Sequence, residues 1–600
     1  MYIFNNSHFE SLETGQKAFL EAWFNLTHER SLDSFRLRCH NGRTILAELK
    51  RESGFEFAST SDIALLAQEA QVFCANDPIL PDLLGNSSPA LYNQIALLAK
   101  KKPDDDSKKE RRQIKLILAD LLPQLDQRYL NATIQALESA IAANLKDKIP
   151  SLTGILATEM AARGWALSGL HRWVESHFLV GAGEGGTFAE RFGIFANRLK
   201  RAPQVYQVVV ALSGNPELPR LGLFGGFEFS ETPPSFSFAA NITTSNFDRF
   251  LRRNPHRTFA TASVEALDNR AAAHKAQEKL AICLDRLRFN FARDTVMNQR
   301  QVLVYRPSAQ TARLIHLDSS IPSPEHHLPL AGFLAANQQI DDLIASGRVA
   351  SESRRRIEAA LRHYRLGLDG NSYHDKLLNW WMGLETLTNA GEGKGIGDRV
   401  VKISLPLLAL DYFEIQLQYL FGVLGEACGS LPPRIGEILP VGPIKHANLE
   451  HKLSVLQDSA AQAQIAQALQ RHPWVLSRWN RFVVLACDPK RLLVYLEEHE
   501  LRVRWHLLRL YRIRCCLIHG TPVDMPLQLP SANLEFYLRA TIHVCLDALV
   551  HNNHIEDLES VFERATICLN QRREILNASG AGTTEILRAL TTGIVFQLAR

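Results

Sequence analysis

Residues 501–522 read Leu-Arg-Val-Arg-Trp-His-Leu-Leu-Arg-Leu-Tyr-Arg-Ile-Arg-Cys-Cys-Leu-Ile-His-Gly-Thr-Pro. The stretch holds Arg502, Arg504, Arg509, Arg512 and Arg514, with no acid before Asp524. A guanidinium offers a planar fork of donors that matches phosphate. Such a run therefore either binds phosphate or pairs with acids elsewhere, for instance Glu497, Glu498 and Glu500 one turn before. His519 sits where the helix should stop, because Gly520 suits a left-handed cap and Pro522 forbids continuation. The helix dipole favours a cation at that end, which suits either a proton donor or an inert capping histidine. At about 100° per residue, Arg512, Cys516 and His519 share one face, whereas Arg514 lies about 140° from His519. Arg514 and His519 can meet one phosphate only if the last turn bends or a second copy of the chain contributes.

This helix belongs to a long helical run. After about residue 345 the spacing predicts helices over roughly 350–368, 373–389, 398–425, 446–470, 475–486, 489–517, 531–550 and 555–575, joined by short loops. No strand signal interrupts them, so residues 346–575 are expected to form an all-α domain followed by a tail over 576–600. Upstream, residues 1–98 mix strand-like pieces such as Thr44-Ile-Leu-Ala-Glu-Leu with helical ones. The charged stretch 99–112, with Pro103 among lysines and aspartates, reads as a linker. Apolar residues at three- and four-residue steps make 113–204 helical. Strand patterns over 205–212, 221–229, 235–239 and 300–305, with a helix over 266–289, make 205–345 a small α/β domain. The expected fold class is multidomain α+β, with a mixed α/β N-terminal region ahead of the helical bundle.

The chain has 600 residues, 46% hydrophobic and 22% charged, enough apolar material for ordinary cores. Its 67 basic and 63 acidic residues leave a charge of +4, too mild for a protein that coats nucleic acid, so any such contact must be local. Nine cysteines with no CxxC pattern read as reduced thiols, which points to the cytoplasm. The first ten residues lack the basic flank and apolar stretch of a signal peptide. The most apolar stretch, 403–424, is broken by Pro406, Asp411, Glu414 and two glutamines, so no membrane partner is expected.

Other motifs carry less. The GxGxxG match at 181–186 lacks a preceding strand and a later acid, and reads as a connection. The glycine-rich segment 389–397 lacks the order of a phosphate-binding loop. His326 with His327, and His551 with His554, have no third ligand nearby, so no metal and no cofactor are assigned.

The pattern Arg514-Cys-Cys-Leu-Ile-His519 fits the R-x4-H motif of HEPN domains, and Leu510-Tyr-Arg-Ile-Arg with Ile-His-Gly520 resembles its fuller form in the Apea-like branch. Upstream, Tyr373-His-Asp-Lys-Leu-Leu-Asn-Trp-Trp-Met-Gly-Leu-Glu-Thr-Leu387 is similar to that branch's helix with an aromatic-x-x-Leu-Glu-x-Leu pattern. The resemblance covers roughly 350–570. It implies a HEPN-like bundle that pairs as a homodimer and cuts RNA, tRNA or another cellular RNA, without metal. Arg514 and His519 would be catalytic, Arg512, Cys515 and Glu385 supporting, and Arg502, Arg504 and Arg509 RNA-binding. It also implies an effector of bacterial anti-phage defence or a toxin system, with the first 340 residues sensing a trigger such as a phage component. Many family members carry Asn or another polar residue where this chain has Cys515. That departure supports the alternative, an inactive HEPN-like module that dimerises and binds RNA or protein. Glu385 reads either as part of the site or as a helix-pairing carboxylate, while Trp380 and Trp381 read as core.

Overall fold

The computed structural model describes residues 4, 7–28, 40–55, 59–180, 186–213, 217–238, 245–254, 257–290, 297–317, 330–370, 372–389, 395–439, 442, 444–521, 523, 525–578, 580 and 582–592. It is mostly helical with one small antiparallel sheet.

The amino-terminal helices share a single core that runs from Phe4 to Leu199. The strand-like residues 44–49 lie instead in a helix, Gly42–Glu52. Asn41 caps it by accepting from the Thr44 N–H at 2.9 Å, while the Thr44 hydroxyl returns to the Asn41 N–H. With that start fixed, Ile45, Leu46 and Leu49 fall on one buried face at helical spacing. The stretch expected to be a linker at 99–112 does not divide two cores. Lys108–Ala142 is one helix of 35 residues, and its Ile114, Leu118 and Leu122 pack with Leu91, Ile95 and Leu98 from upstream. One ion pair forms within the stretch, with Lys101 2.9 Å from Glu110.

The sheet contains β1 (Gln204–Ser213), β2 (Leu223–Phe224), β3 (Phe227–Ser230), β4 (Thr258–Ala266), β5 (Met297–Arg306) and β6 (Thr311–His316), in the order β2-β3-β4-β1-β5-β6 with every pairing antiparallel. The period-2 alternation of β1 explains its two faces. Tyr206, Val208, Val210 and Leu212 pack on the helix Asn269–Asn290, while Val209 and Ala211 meet Phe250 and Phe259 on the other side. The stretch expected as a strand at 235–239 is irregular over 235–238. Phe236 instead stacks on Tyr305, centroids 4.3 Å apart, beside the sheet rather than in it.

The carboxyl-terminal helices build two cores. One gathers Ser351–Asp369, Tyr373–Leu387, Ile396–Ala409, Gln528–His551 and Leu558–Asn577, and the other gathers Tyr412–Cys428, Pro473–Cys487 and Thr583–Thr591. The single helix expected over 398–425 is therefore two, parted at Leu410, whose carbonyl accepts from the Arg572 guanidinium at 2.8 Å. The helix expected over 446–470 is likewise interrupted, because Asp458 caps a new start by accepting from the Ala461 N–H. In the expected tail, Thr583–Thr591 is a helix that buries Ile586, Ala589 and Leu590.

The arginine-rich helix, Pro489–Ile518, joins the two cores. Leu492, Tyr495 and Leu496 enter one, and Val503 through Ile513 enter the other. A second seam lies at the start of the preceding helix, Pro473–Cys487, where Glu21 of the amino-terminal unit accepts from the Trp474 N–H at 2.9 Å and contacts His472 Nδ1 at 2.7 Å, both side chains fully buried.

Candidate active site at the end of the arginine helix

The helix Pro489–Ile518 begins with Pro489 in its first turn and Asp488 accepting from the Lys490 and Arg491 N–H groups. It ends as the His-Gly pair predicts. Gly520 takes φ +67°, the His519 N–H bonds the Cys515 carbonyl at 3.0 Å, and the Thr521 N–H bonds the Cys516 carbonyl at 2.9 Å. His519 caps the helix and is exposed, next to an exposed Ile518.

The five arginines divide by the face on which they leave the helix. Arg502 and Arg504 are exposed, and Arg502 pairs with Glu498 one turn back at 3.1 Å. Arg509 is only 2% exposed. Its guanidinium lies 2.9 Å from Glu48 and 2.6 Å from Glu69, carboxylates brought by the amino-terminal helices Gly42–Glu52 and Thr60–Ala75. Arg512 shares Glu48 at 2.9 Å, with Glu52 at 3.9 Å, and His40 Nε2 approaches Glu48 at 2.7 Å. Burial alone would raise the Glu48 carboxyl, but Arg509, His40 and Arg512 hold it well below its ordinary value. Burial and the Arg509 charge push His40 the other way, down. Arg509, expected on an RNA surface, is thus enclosed by protein, and Arg512, expected beside the catalytic pair, is engaged with the amino-terminal unit.

Arg514 leaves from the opposite side, as a step of two residues on a helix requires. It meets Glu385 of the helix Tyr373–Leu387 at 3.5 Å, and the Trp381 indole N–H donates to the same carboxylate at 2.9 Å. Glu385 is half-buried and Trp381 is core, and its ring lies 5.7 Å from that of Tyr511. Gly397 leaves the room that Tyr511 occupies, since a Cβ there would come within 2.7 Å of its ring. Burial, together with the nearby Cys515 thiol, pushes the Tyr511 phenol up to about 12. Among the described residues neither Arg512 Nε nor Arg514 Nε finds an acceptor.

Arg512 and Cys516 line one small space against Glu48 and Glu52, as their shared face implies. Arg514 and Glu385 are also brought together, the upstream motif packing on the R-x4-H helix. Arg512 and Arg514 are kept apart on opposite faces. Glu48, Glu52, Glu69 and His40 were not singled out from the sequence, although Glu48 on the apolar face of Ile45, Leu46 and Leu49 was a readable signal, since a carboxylate there needs a cationic partner. Residues 181–185, 326–327 and 390–394 of the glycine-rich and histidine motifs lie outside the described residues. Among the described residues no three His, Cys, Asp or Glu side chains are grouped as metal ligands, and no helix is long and apolar enough to cross a membrane.

No family model, curated protein or solved structure matches this chain.

Proposed function

We propose that this chain is a metal-independent RNA endonuclease of HEPN type whose carboxyl-terminal helices form the effector, in a bacterial anti-phage or toxin system, under control of the amino-terminal region. The observation that carries this reading is the exposed His519 at the end of a helix whose Arg514, one turn earlier, is steadied by Glu385 and Trp381. In this scheme two copies pair so that the Arg514 of one and the His519 of the other face one phosphodiester. The ribose 2′-hydroxyl gives up its proton and attacks phosphorus, and the bond to the 5′ oxygen breaks. His519 exchanges the protons while Arg514 stabilises charge on the phosphoryl oxygens. The products carry a 2′,3′-cyclic phosphate and a 5′-hydroxyl.

Arg502 and Arg504 remain on the surface to meet the RNA backbone, whereas Arg509 and Arg512 are held by the amino-terminal acids. That engagement supports a controlling role for the amino-terminal region. The test is RNA cleavage by the full chain in EDTA, comparing the native protein with His519→Ala and Arg514→Ala and mapping fragment ends. We expect cyclic-phosphate ends and a loss of at least 10²-fold in His519→Ala. Cleavage retained in both variants overturns the reading.

A second reading, an inactive module that binds RNA or protein and dimerises, is favoured by the ion pair between Arg514 and Glu385. It predicts RNA binding and pairing without cleavage, both unchanged by His519→Ala.

A further inference from the structure

A cavity of about 800 Å³ lies where the amino-terminal helices, the sheet unit and the carboxyl-terminal helices meet. Its size falls within the roughly 300–1,000 Å³ usual for small-molecule sites. One wall is the helix Asn269–Asn290, which presents Arg270, Lys275 and Lys279. Three imidazoles join them, His274 from the same helix, His316 from the end of β6 and His374 from the start of Tyr373–Leu387. Two carboxylates also line the space. Glu278 is engaged by the Tyr373 N–H at 3.0 Å and by His374 Nδ1 at 3.6 Å, and Glu265 is the other. Asp268 beside the wall is occupied, accepting from the N–H groups of Ala166, Arg270 and Ala271. Three cations thus share the lining with two carboxylates, and Lys275 Nζ donates to the Glu265 carbonyl at 3.0 Å.

Two further helices start at this cavity: Leu167–Glu175, whose capping residue Ala166 gives its N–H to Asp268, and Gln528–His551, which carries no side-chain cap. The second end adds positive potential to that of the lysines and Arg270. Much of the rest of the lining is apolar. Tyr373 and His274 lie with ring centroids 6.3 Å apart, and Met525, Leu527 and the exposed Ile282 complete the surface. An anion alone would leave these surfaces uncovered, and an apolar ligand alone would make no use of the cations.

We propose that this cavity binds a nucleoside phosphate, its ring against Tyr373, His274 and Met525 and its phosphate toward Arg270, Lys275, Lys279 and the start of Gln528–His551. The site goes beyond RNA cleavage and does not depend on it. Met525 and Leu527 follow His519 by six and eight residues, so the ligand rests on the segment that leaves the candidate active site.

The experiment is a melting-temperature and calorimetric titration of the full chain with AMP, ATP, GTP, adenosine and inorganic phosphate at up to about 5 mM, repeated on Lys279→Ala and on Lys275→Glu with Lys279→Glu. At least one nucleotide should raise the melting temperature by several degrees, with adenosine and phosphate giving far less. Binding should weaken about tenfold or more in the double variant and less in Lys279→Ala, while the ligand-free melting temperatures stay near native. No response to any nucleotide, an equal response to inorganic phosphate, or undiminished binding in variants that melt normally overturns the proposal. Because the readout is binding, its failure is separate from a failure of the ribonuclease reading.

Discussion

Arg509 and Arg512 stand within five residues of Arg514 on one helix, yet the two faces of that helix have opposite characters. Toward the amino-terminal unit, two guanidiniums, three glutamates and His40 form a closed network in which Arg509 is 2% exposed. Toward the helix Tyr373–Leu387, Arg514 makes one longer contact to a half-buried carboxylate, and His519 beyond it is in water. The difference teaches that a run of arginines is not a footprint by itself. What each one does is decided by which acids the rest of the chain carries to its side of the helix.

The contrast is broken most sharply by removing a shared acid. Glu48→Ala takes from Arg512 its close carboxylate and from Arg509 one of its two, and should cost about 3–5 kcal/mol in urea unfolding, because a buried charge stripped of its partner is not rehydrated. A loss below about 1 kcal/mol would mean that the network is not closed.

A second test uses pH. Burial, then the Arg502 charge, push His499 down to about 3, and burial with the Arg509 charge holds His506 well below its ordinary value. Between pH 7.5 and 5.5 the folded chain stays unprotonated at both, whereas the unfolded chain, with pKa near 6.5, takes up protons, so stability falls as pH falls. Each histidine should contribute about 1.4 kcal/mol to that loss. The urea midpoint should drop accordingly, and His506→Gln should narrow the gap between the two pH values. The Glu48 carboxylate acts in a different window. Its contribution is complete above the unfolded value near 4.5 and is lost only as pH drops toward its depressed folded value.

The open side should respond least. Arg514→Ala should lower stability by no more than about 1 kcal/mol and Arg502→Ala by about 0.5 kcal/mol or less, both read from the same urea transitions. An Arg514 effect as large as that of Glu48 would make it a structural arginine and favour the inactive reading.

Where local signals suffice, the sequence could be read closely. Pro489 and the His-Gly pair bracket the arginine helix, so the expected 489–517 became Pro489–Ile518, and the expected 373–389 became Tyr373–Leu387. β1 was legible from its run of valines. β4 and β6 were not read, since Thr258-Phe-Ala-Thr-Ala-Ser carries small residues that earn strand structure only by pairing with β1 and β3. The helix Gly42–Glu52 was misread because Thr44-Ile-Leu resembles a strand until the Asn41 cap is counted. In the site, Arg514 with Glu385 followed from two motifs on packed helices. The fate of Arg509 did not, because its carboxylates lie 461 and 440 residues away in the chain, beyond any spacing rule.

The buried contact of Glu21 with His472 and the Trp474 N–H has a practical corollary. The carboxyl-terminal helices are not an excisable unit. A fragment starting near residue 346 would uncover the seam at His472 and the faces around Arg509 and Arg512 together, turning two interior surfaces into sticky, poorly hydrated patches. Any study of these helices should therefore keep the chain whole and probe them by point substitution rather than by truncation.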